Sequence, residues 1–359
     1  MLMLKTPVRY LDFYGLKTDP TKARVVISTE HAEDVFDLIK AEKSVRLVAE
    51  AGTGKTTILR EVKKKLVEEF DGRLLVPIIP FDALPDTSTH TYIGRGGITV
   101  IGRYIVRELK KSTGGIPGKI SDDVAALRRS GRDVSAQEKS DHIHQILEKI
   151  REPPIEREIA IFFDDADSLA SVEDLNTLGE FIDNCYATVF AMKPSVGSEI
   201  KGRDPIEEKV LREKSQAFLR RTQEYTINGY PVKVLMEIVE RYVSQIKRKE
   251  RRLVEDAPLF PFNNKALAIG LGVAYTMKED GEGAKLYKPD RFLDFLSQCL
   301  QIGYHTKTGL IEPGIAKKAA QKTAYGRSRD AGMSVFGQQD GYEGEVERAL
   351  ADIGMAKPA

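Results

Sequence analysis

The chain has 359 residues, 41% of them hydrophobic, and its 55 basic and 54 acidic residues leave a formal net charge of +1. This length predicts a globular protein of about two domains. The charge balance excludes a nucleic-acid binder that relies on overall charge, so such a role would need a local basic patch. The only cysteines, Cys185 and Cys299, exclude a disulfide framework and a thiolate zinc site. Because no apolar stretch is long enough to span a bilayer, we expect a cytoplasmic protein.

The first strong pattern along the chain is a glycine-rich turn between an apolar run and a helical pattern. The run Val45 to Val48 predicts a buried strand, and the helix after the turn repeats apolar residues at three- and four-residue spacing, at Leu59, Val62 and Leu66. A turn in this setting is typical of a phosphate-binding P-loop. Its candidate nucleotide-binding residues are Glu50, Ala51, Gly52, Thr53, Gly54, Lys55, Thr56 and Thr57.

The residue types in this turn fit a nucleoside triphosphate such as ATP. Gly52 and Gly54 allow backbone N–H groups to surround a phosphate at the positive end of a helix. The Lys55 ammonium would then reach the β- and γ-phosphates, and the Thr56 hydroxyl would bind Mg²⁺. Ala49 stands where the motif usually has its first glycine, so we expect the start of the loop to differ slightly. The alternative is a glycine-rich turn that only resembles a P-loop.

A basic segment follows the next predicted strand, Leu74 to Ile79. From Tyr92 to Asp133 the sequence has nine basic and four acidic residues, a net charge of +5 on an otherwise neutral chain. Such a segment is either a solvated helix face, which is common, or a surface that binds nucleic-acid phosphates.

The next signal is a pair of carboxylates directly after a buried strand. Ile159 to Phe163 predict a parallel strand buried on both faces, and Asp164 and Asp165 follow it. In a P-loop ATPase the first carboxylate, here Asp164, holds Mg²⁺ through its water shell. The second, here Asp165, polarises the water that attacks the γ-phosphate. The alternative is a solvated acidic turn at the end of a core strand.

Strands and helices alternate through the first two thirds of the chain. This alternation, with a further strand at Thr188 to Met192, predicts a parallel α/β domain over residues 25–229, preceded by an extension over residues 1–24. From residue 230 the pattern changes to successive amphipathic helices, which predict a small helical domain over residues 230–320. Pattern alone leaves open a generic helical bundle that does not contact nucleotide.

The last segment, residues 321–359, is glycine-rich and polar, which predicts a flexible tail with one short helix. One face of that helix carries Val346, Ala349, Leu350 and Ile353. This face would pack either on the helical domain of the same chain or on a partner protein.

The order of P-loop, acidic strand, further strand, arginine pair and helical domain resembles that of AAA+ ATPases, and within them the initiator-type group. This group includes origin-recognition and helicase-loader proteins, the DNA-transposition regulator ATPases and the secretion ATPase ExeA, and the chain is most similar to the last two. The resemblance covers about Tyr10 to Ala320. Besides the P-loop it rests on Tyr10-Leu11-Asp12-Phe13-Tyr14-Gly15-Leu16, Asp164-Asp165-Ala166-Asp167-Ser168-Leu169 and Leu259-Phe260-Pro261-Phe262-Asn263-Asn264-Lys265-Ala266-Leu267. It implies a parallel-sheet P-loop domain of the ASCE/AAA+ type, a small all-helical lid, and ATP and Mg²⁺ as ligands.

The resemblance also implies roles for three arginines. Arg221, or its neighbour Arg220, stands where such ATPases carry an arginine that reaches the nucleotide of an adjacent subunit. Arg291 stands where the lid touches the γ-phosphate. Alternatively the arginine pair is solvated, because Thr222 replaces the aromatic residue that commonly follows it, and Asp290 only caps a helix beside a solvated Arg291.

The sequence departs from the family pattern at two places. Members of the family usually have Glu where Asp165 stands, and the shorter side chain predicts slow hydrolysis, which suits a switch better than a motor. In the family, the strand that corresponds to Thr188 to Met192 lies between the P-loop strand and the acidic strand, so its end faces the γ-phosphate. Here it ends in Lys193-Pro194-Ser195 rather than in an evident Asn or Thr, so no residue is assigned to sense the γ-phosphate there.

In initiator-type rings, the segment between the second strand and the acidic strand faces the DNA. The resemblance therefore implies contacts with the backbone of duplex DNA, without sequence preference. The candidate residues are Arg95, Arg103, Arg107, Lys110, Lys111 and Lys119.

The function that we expect is an ATP-dependent ATPase that oligomerises as a ring or filament on duplex DNA. It would recruit or regulate a partner such as a transposase or helicase, in DNA transposition or recombination. The residues after Ala320 are too few for the winged-helix domain of origin binders, which favours the transposition-regulator or loader type over an origin-specific initiator. A signalling ATPase switch that binds only protein and a secretion-associated ExeA-like ATPase are the alternatives.

Overall fold

The computed structural model describes residues 29–80, 95–128, 136–166, 179, 181–194, 218–249, 262–279, 283–305, 311–323 and 339–353. The chain divides into two units. The first, here called the sheet unit, comprises Ser28–Ala51 and Lys55–Ile227, and the second, the helical unit, includes Asn228–Ala359 together with Gly52–Gly54.

A parallel sheet of six strands forms the centre of the sheet unit. Its strands are β1 (Val45–Ala49), β2 (Leu74–Leu75), β3 (Ile78–Pro80), β4 (Glu158–Asp164), β5 (Ala187–Met192) and β6 (Gln223–Ile227). They lie in the order β2, β4, β5, β1 and β6, and β3 also pairs with β4. In the register, Val48 of β1 lies opposite Met192, and Phe163 of β4 lies opposite Phe190. The carboxyl ends of β1 and β4 therefore reach the same edge of the sheet, with β5 between them.

The residue types explain why the central strands form. All six residues of β5 are buried, as are those of β4 after Glu158, which is expected for parallel strands covered by helices on both faces. The predicted strand Leu74 to Ile79 is instead the two short strands β2 and β3. Pro77 lies between them and has no N–H group to donate to a ladder.

Five helices of the sheet unit have defined bounds: α1 (Glu30–Lys40), α2 (Lys55–Glu69), α3 (Arg95–Thr113), α4 (Ser121–Arg128) and α5 (Ala136–Arg151). Thr29 caps α1, because its hydroxyl accepts a hydrogen bond from the N–H of Ala32 at 3.3 Å. The predicted apolar face of α2, formed by Leu59, Val62 and Leu66, is fully buried. This face fixes the start of α2 relative to the sheet.

The basic segment folds as part of the core rather than as an appendage. Ile101, Ile105 and Leu109 of α3 belong to the same buried cluster as Phe163 of β4. A buried carboxylate on α4 ties this layer to α5: Asp123 accepts a hydrogen bond from Lys149 Nζ at 2.7 Å, and its Oδ1 lies 3.2 Å from His142 Nδ1. The helices α3, α4 and α5 are therefore held firmly against the sheet.

An ion pair links α2 to α3 on the same side of the sheet. Lys63 Nζ donates to Glu108 Oε1, and both side chains are largely buried, with 25% and 17% of their surfaces exposed. Glu108 also accepts from Lys111 Nζ at 3.3 Å. One carboxylate thus holds two ammonium groups, one from each helix.

The helical unit contains α6 (Val232–Lys249), α7 (Asn264–Ala274), α8 (Pro289–His305), α9 (Pro313–Lys322), α10 (Gln339–Asp352) and a hairpin of β7 (Tyr275–Glu279) and β8 (Lys285–Tyr287). Helix α7 packs against α8, α9 and α10 and is buried on nearly all sides. Asn263 caps it by accepting from the N–H of Ala266 at 2.8 Å. The antiparallel hairpin adds a small β element to the lid that the sequence predicts to be all-helical.

The C-terminal helix α10 packs on its own unit. Val346, Ala349 and Leu350 are buried, and the helix contacts α7 and α6. The sequence left two possibilities for this apolar face, the helical domain of the same chain or a partner protein. In the structure it packs on the helical domain of the same chain. Residues 339–352 are a packed helix within the segment predicted as a flexible tail.

A polar network fastens α10 to the hairpin. Glu345 accepts hydrogen bonds from Lys285 Nζ, at 2.7 Å, and from the Tyr287 hydroxyl. The Lys285 ammonium also lies 4.5 Å from the ring centre of Tyr342, at cation–π distance. Burial, followed by the carboxylate of Glu345, raises the pKa of Tyr287 well above its usual range. The tyrosine is therefore a neutral donor to this carboxylate.

Several expectations fall outside the described residues. The segment Tyr10 to Leu16 and the extension over residues 1–24 are among them. Within the described part of the chain, no helix combines the length and apolarity needed to cross a membrane.

The replacement Glu345→Ala is expected to destabilise the protein by roughly 2–3 kcal/mol. It removes the acceptor of two hydrogen bonds that involve a charged group in a half-buried position. Urea unfolding followed by tyrosine fluorescence measures this loss. Glu347→Ala, at an exposed position of the same helix, is the matched control and should change stability by no more than about 0.5 kcal/mol. Equal losses in the two variants would contradict the role of the network.

Candidate functional site

The glycine-rich loop between β1 and α2 has the backbone of an anion-binding turn. Gly52 and Gly54 have φ values of +81° and +89°, which residues with a side chain rarely adopt. Ala49 is the last residue of β1 and has an extended backbone, so a glycine is not needed there. The departure from the motif at Ala49 therefore leaves the curved part of the loop unchanged.

Lys55 begins α2 and turns back into the loop. Its Nζ donates to the carbonyl of Ala49 at 2.8 Å and to that of Glu50 at 3.2 Å. The ammonium thus lies at the positive end of a helix and beside the loop backbone, where an anionic phosphate is favoured. Thr53 and Lys55 are buried, Gly54, Thr56 and Thr57 are half-buried, and Glu50, Ala51 and Gly52 are exposed.

Asp164 ends β4 and is brought against the start of α2. Its side chain is only 6% exposed and is hydrogen-bonded to the side chain of Thr56. Burial raises the pKa of Asp164 above the ordinary value, and the Thr56 hydrogen bond opposes this increase. Oδ1 of Asp164 is buried and has no hydrogen-bond partner within the described part of the chain.

The Oδ1 of Asp164 shows whether these residues fit a magnesium ion. A buried carboxylate oxygen without a partner is costly, and native proteins seldom contain one without a bound ion or water. Mg²⁺ binds one or two protein oxygens and takes the rest from water and phosphates. The Oδ1 of Asp164 and the Thr56 hydroxyl are oxygens of this kind. The pair fits Mg²⁺ in the setting of a bound triphosphate.

Asp165 follows Asp164 and is exposed, with φ of 54°, in the left-handed region. A non-glycine residue in this conformation costs about 1–2 kcal/mol, although Asp tolerates it better than most. Such strain is characteristic of functional positions. The structure therefore places a strained, accessible carboxylate beside the buried one.

No residue at the end of β5 is assigned to contact the γ-phosphate. β5 lies between β1 and β4, as the family resemblance implies. Lys193, directly after β5, is exposed, and Ser195 lies outside the described residues.

The two candidate arginines differ in their contacts. Arg221 Nη1 forms an ion pair with Asp183 Oδ2 at 3.0 Å and lies 3.5 Å from the carbonyl of Gly179. Arg220 is exposed and forms no ion pair with any residue that the structure describes. Because the side chains of Arg221 and Asp183 are 48% and 56% exposed, their pair contributes at most about 1 kcal/mol. Both arginines therefore remain candidates.

Arg291 lies in the first turn of α8, in the helical unit. Asp290 Oδ1 accepts from the backbone N–H of Arg291 at 2.7 Å, so Asp290 does help to cap the helix. Arg291 is half-buried rather than solvated, and its Nη1 lies 3.5 Å from the carbonyl of Tyr275. Lys288, one residue before the helix, is 6% exposed. Burial and then the charge of Arg291 lower the pKa of Lys288.

The structure separates the six basic candidates into groups. Arg103, Arg107 and Lys110 are exposed on α3 and have no ion pair among the described residues. Lys111 pairs with Glu108, and Lys119 pairs with Glu152. Arg95 begins α3, but its side chain lies outside the described set. Charge alone did not distinguish these groups.

Sequence reasoning missed two charged residues near the candidate groups. Asp183 lies in a segment without a motif, and only its distance to Arg221 connects it to the arginine pair. Lys288 lies three residues before Arg291 in the chain, but nothing in the sequence pattern marks it as buried.

Comparisons with known proteins identify a shared fold, but no family and no curated relative. No model of a known protein family matches the chain, and no curated protein matches it. Among solved structures, the Aeropyrum pernix ORC2 protein, in ADPNP–ADP complexes, matches with a TM-score of 0.52 and 13% identity over 96% of this chain and 85% of that chain.

Two further likenesses are weaker. Drosophila ORC bound to DNA has a TM-score of 0.45 and 14% identity, over 97% of this chain and 80% of that chain. The Thermotoga maritima RuvB Holliday junction branch migration motor has a TM-score of 0.38 and 16% identity, over 82% and 69%. Of the three, only the ORC2 likeness is strong enough to show a shared fold. It confirms the predicted α/β P-loop domain followed by a helical region.

The replacement Asp164→Asn is expected to stabilise the ligand-free protein at neutral pH by roughly 0.5–2 kcal/mol. Because the pKa of this carboxyl is higher in the folded than in the unfolded protein, its ionised form opposes folding above the unfolded pKa. The gain should therefore shrink as the pH falls from the folded pKa to the unfolded pKa, and it should be absent below the unfolded value. Thermal unfolding across a pH series measures it. Asp165→Asn, exposed and equally tolerant of a left-handed backbone, should change stability by no more than about 0.5 kcal/mol. A destabilised Asp164→Asn protein would show that the ionised carboxylate does not oppose folding.

Proposed function

We propose that this chain is a nucleotide-dependent switch that binds ATP with Mg²⁺ at the loop before α2 and hydrolyses it slowly. The observation that carries the proposal is the buried Asp164, whose Oδ1 has no partner among the described residues, beside Thr56 at the start of that helix. The left-handed glycines and the inward-turned Lys55 supply the phosphate-binding part. The fold shared with ORC2, a protein solved with ADPNP and ADP, supports the same ligand class.

Each residue of the site has a distinct task in this proposal. The loop N–H groups and Lys55 bind the phosphate oxygens and neutralise their charge. Thr56 and Asp164 hold Mg²⁺, which would stabilise the negative charge that develops on the phosphates. Asp165 orients the attacking water by accepting a hydrogen bond from it. Aspartate reaches less far than glutamate, which is why we propose slow turnover.

Assembly is the second part of the proposal. Arg220 or Arg221 would reach the nucleotide of an adjacent subunit and stabilise charge in the transition state, so hydrolysis would depend on oligomerisation into a ring or filament. Arg291 of the lid would contact the γ-phosphate and report the nucleotide state. Support for these roles comes from the exposure of Arg220 and from the position of Arg291 in the first turn of α8.

Duplex DNA and a protein partner complete the proposal. The basic residues of α3 and its surroundings would bind the DNA backbone in the ATP-bound assembly, without reading sequence. A partner such as a transposase or helicase, in DNA transposition or recombination within the cytoplasm, would be recruited in this state and released after hydrolysis. The local charge of +5 between Tyr92 and Asp133, on a neutral chain, supports an acidic polymer as ligand.

The replacement Asp165→Asn should preserve ATP binding and lower turnover by about 10²- to 10⁴-fold, because the backbone is retained while the water loses its acceptor carboxylate. Lys55→Ala should instead abolish binding, since it removes the cation that contacts the phosphates. Equilibrium binding of a fluorescent ATP analogue and single-turnover phosphate release measure the two effects. Full turnover by Asp165→Asn would exclude this carboxylate from the reaction, and unchanged affinity of Lys55→Ala would overturn the nucleotide site.

Mixtures of variants test whether an arginine acts across a subunit interface. Arg220→Ala and Arg221→Ala are each mixed with Lys55→Ala, so that an intact arginine from one subunit meets an intact phosphate loop from another. Turnover should reappear for the variant that lacks the cross-subunit arginine. Asp183→Ala, which removes only the partner of Arg221, serves as control and should retain turnover without mixing. Absence of rescue in both mixtures would contradict the assembly-dependent mechanism.

A further inference from the structure

Arg46 is the one charged residue of β1, and the other four residues of this strand are buried. Parallel strands covered on both faces are normally filled with apolar residues, because a buried guanidinium group must find partners for its N–H groups. The side chain of Arg46 is only 13% exposed. A charged side chain at this place in an interior strand needs a reason, and the nucleotide site does not supply one.

Arg46 contacts two residues at the start of β6. Its Nε donates to Thr222 Oγ1 at 2.9 Å, and its Nη1 forms an ion pair with Glu224 Oε2 at 2.8 Å. Glu224 lies directly opposite Arg46 in the register of the two strands. The Glu224 side chain is exposed, so this ion pair contributes little, whereas Thr222 is buried. The hydrogen bond to Thr222 is therefore the contact that matters for the position of the chain before β6.

The Thr222 hydroxyl also holds the turn that precedes it. It donates to the carbonyl of Phe218 at 3.0 Å, within the helical residues 218–221. The Phe218 side chain is buried and meets Phe190 of β5 edge to face, with 4.9 Å between the ring centroids. This turn is therefore fixed at both ends, by an aromatic ring in the core and by a hydroxyl that Arg46 holds.

Arg220 and Arg221 lie between these two fixed points. Their backbone is held while their side chains are exposed. A residue that must reach the nucleotide of another subunit depends on such a fixed base, because a displacement of about 1 Å near the reacting atoms can lower a rate by about 100-fold. The turn thus combines a fixed backbone with side chains that extend outward.

We infer that Arg46 and Thr222 are positioning residues for the arginine that acts across the subunit interface. The inference rests on the proposed function, whose assembly-dependent step it deepens. Arg46 acts through Thr222 and has no contact with nucleotide in this role. Loss of the Thr222 hydroxyl leaves the Nε–H of Arg46 without its acceptor and the carbonyl of Phe218 without its side-chain donor. The turn is then free to shift, and the arginine with it.

The test removes the hydroxyl and keeps the shape of the side chain, as Thr222→Val. Thr222→Ser retains the hydroxyl and is the conservative variant. Thr226→Val, the same replacement at an exposed position of β6, is the matched control. Arg46→Met removes the donor to Thr222 and retains an unbranched side chain. Binding of a fluorescent ATP analogue and the rate of phosphate release are measured for each variant.

Thr222→Val and Arg46→Met should bind ATP as the wild type does and hydrolyse it about 10- to 100-fold more slowly. Thr222→Ser and Thr226→Val should keep the wild-type rate. Mixing separates positioning from a loss of structure, because Lys55→Ala subunits carry an intact arginine turn. Turnover in a mixture of Thr222→Val with Lys55→Ala subunits should exceed the sum of the turnovers of the two proteins measured alone.

Three results would overturn the inference. Weakened ATP binding by Thr222→Val would show that the contact supports the nucleotide site of its own subunit. A mixture no more active than the sum of its parts would show that the contact does not act across an interface. A full rate in Thr222→Val, or an equal loss in Thr226→Val, would show that the buried hydroxyl has no special role.

The outcomes also separate this inference from the proposed function. If Arg220→Ala or Arg221→Ala is rescued by Lys55→Ala subunits while Thr222→Val keeps the full rate, the inference falls and the assembly-dependent mechanism stands. If both arginine variants keep the full rate without mixing, the assembly-dependent mechanism is wrong and the inference falls with it.

Discussion

The candidate nucleotide site depends on the parallel pairing of β4, β5 and β1. Parallel strands end at one edge of a sheet. The carboxylate that ends β4 and the loop that follows β1 therefore lie at the same edge, and β5 is the one strand between β4 and β1. Burial of β4 and β5 on both faces removes water from the base of the site. Polar atoms there must find partners within the protein or in a ligand. The hydrogen bond between Thr56 and Asp164 is the direct contact across this arrangement, and it leaves one carboxylate oxygen for an ion.

Features that depend on neighbours in the chain could be predicted from the sequence. The left-handed glycines, the buried face of α2 and the apolar runs of β4 and β5 all follow from local spacing and residue type. The family resemblance added the position of β5 between the other two strands, which residue patterns could not give. The single strand predicted from Leu74 to Ile79 was wrong, although Pro77, which separates β2 from β3, stands in the sequence. The hairpin of β7 and β8 was not predicted, because two strands this short have too few residues to show an alternation.

Features that depend on contacts between distant residues could not be predicted. The sequence counts nine basic residues around α3, but which of them are neutralised is decided by partners such as Glu152, on another helix. The ion pair of Arg221 with Asp183 and the burial of Lys288 are of the same kind. The apolar face of α10 was visible as a pattern, whereas the surface that covers it was not. In each case the sequence shows the charge or apolarity of a side chain, and the packing determines which partner it contacts.

The shared carboxylate of Glu108 has a mechanical consequence. Lys63 lies on the same helix as Lys55, roughly 12 Å further along its axis, while Glu108 lies between Arg107 and Lys110 in the chain. A shift of α2 relative to α3 would strip a largely buried carboxylate of its strongest counter-charge. The ion pair therefore opposes a relative displacement of the two helices. A displacement of α2, which begins with Lys55, would be resisted at α3 through this single contact.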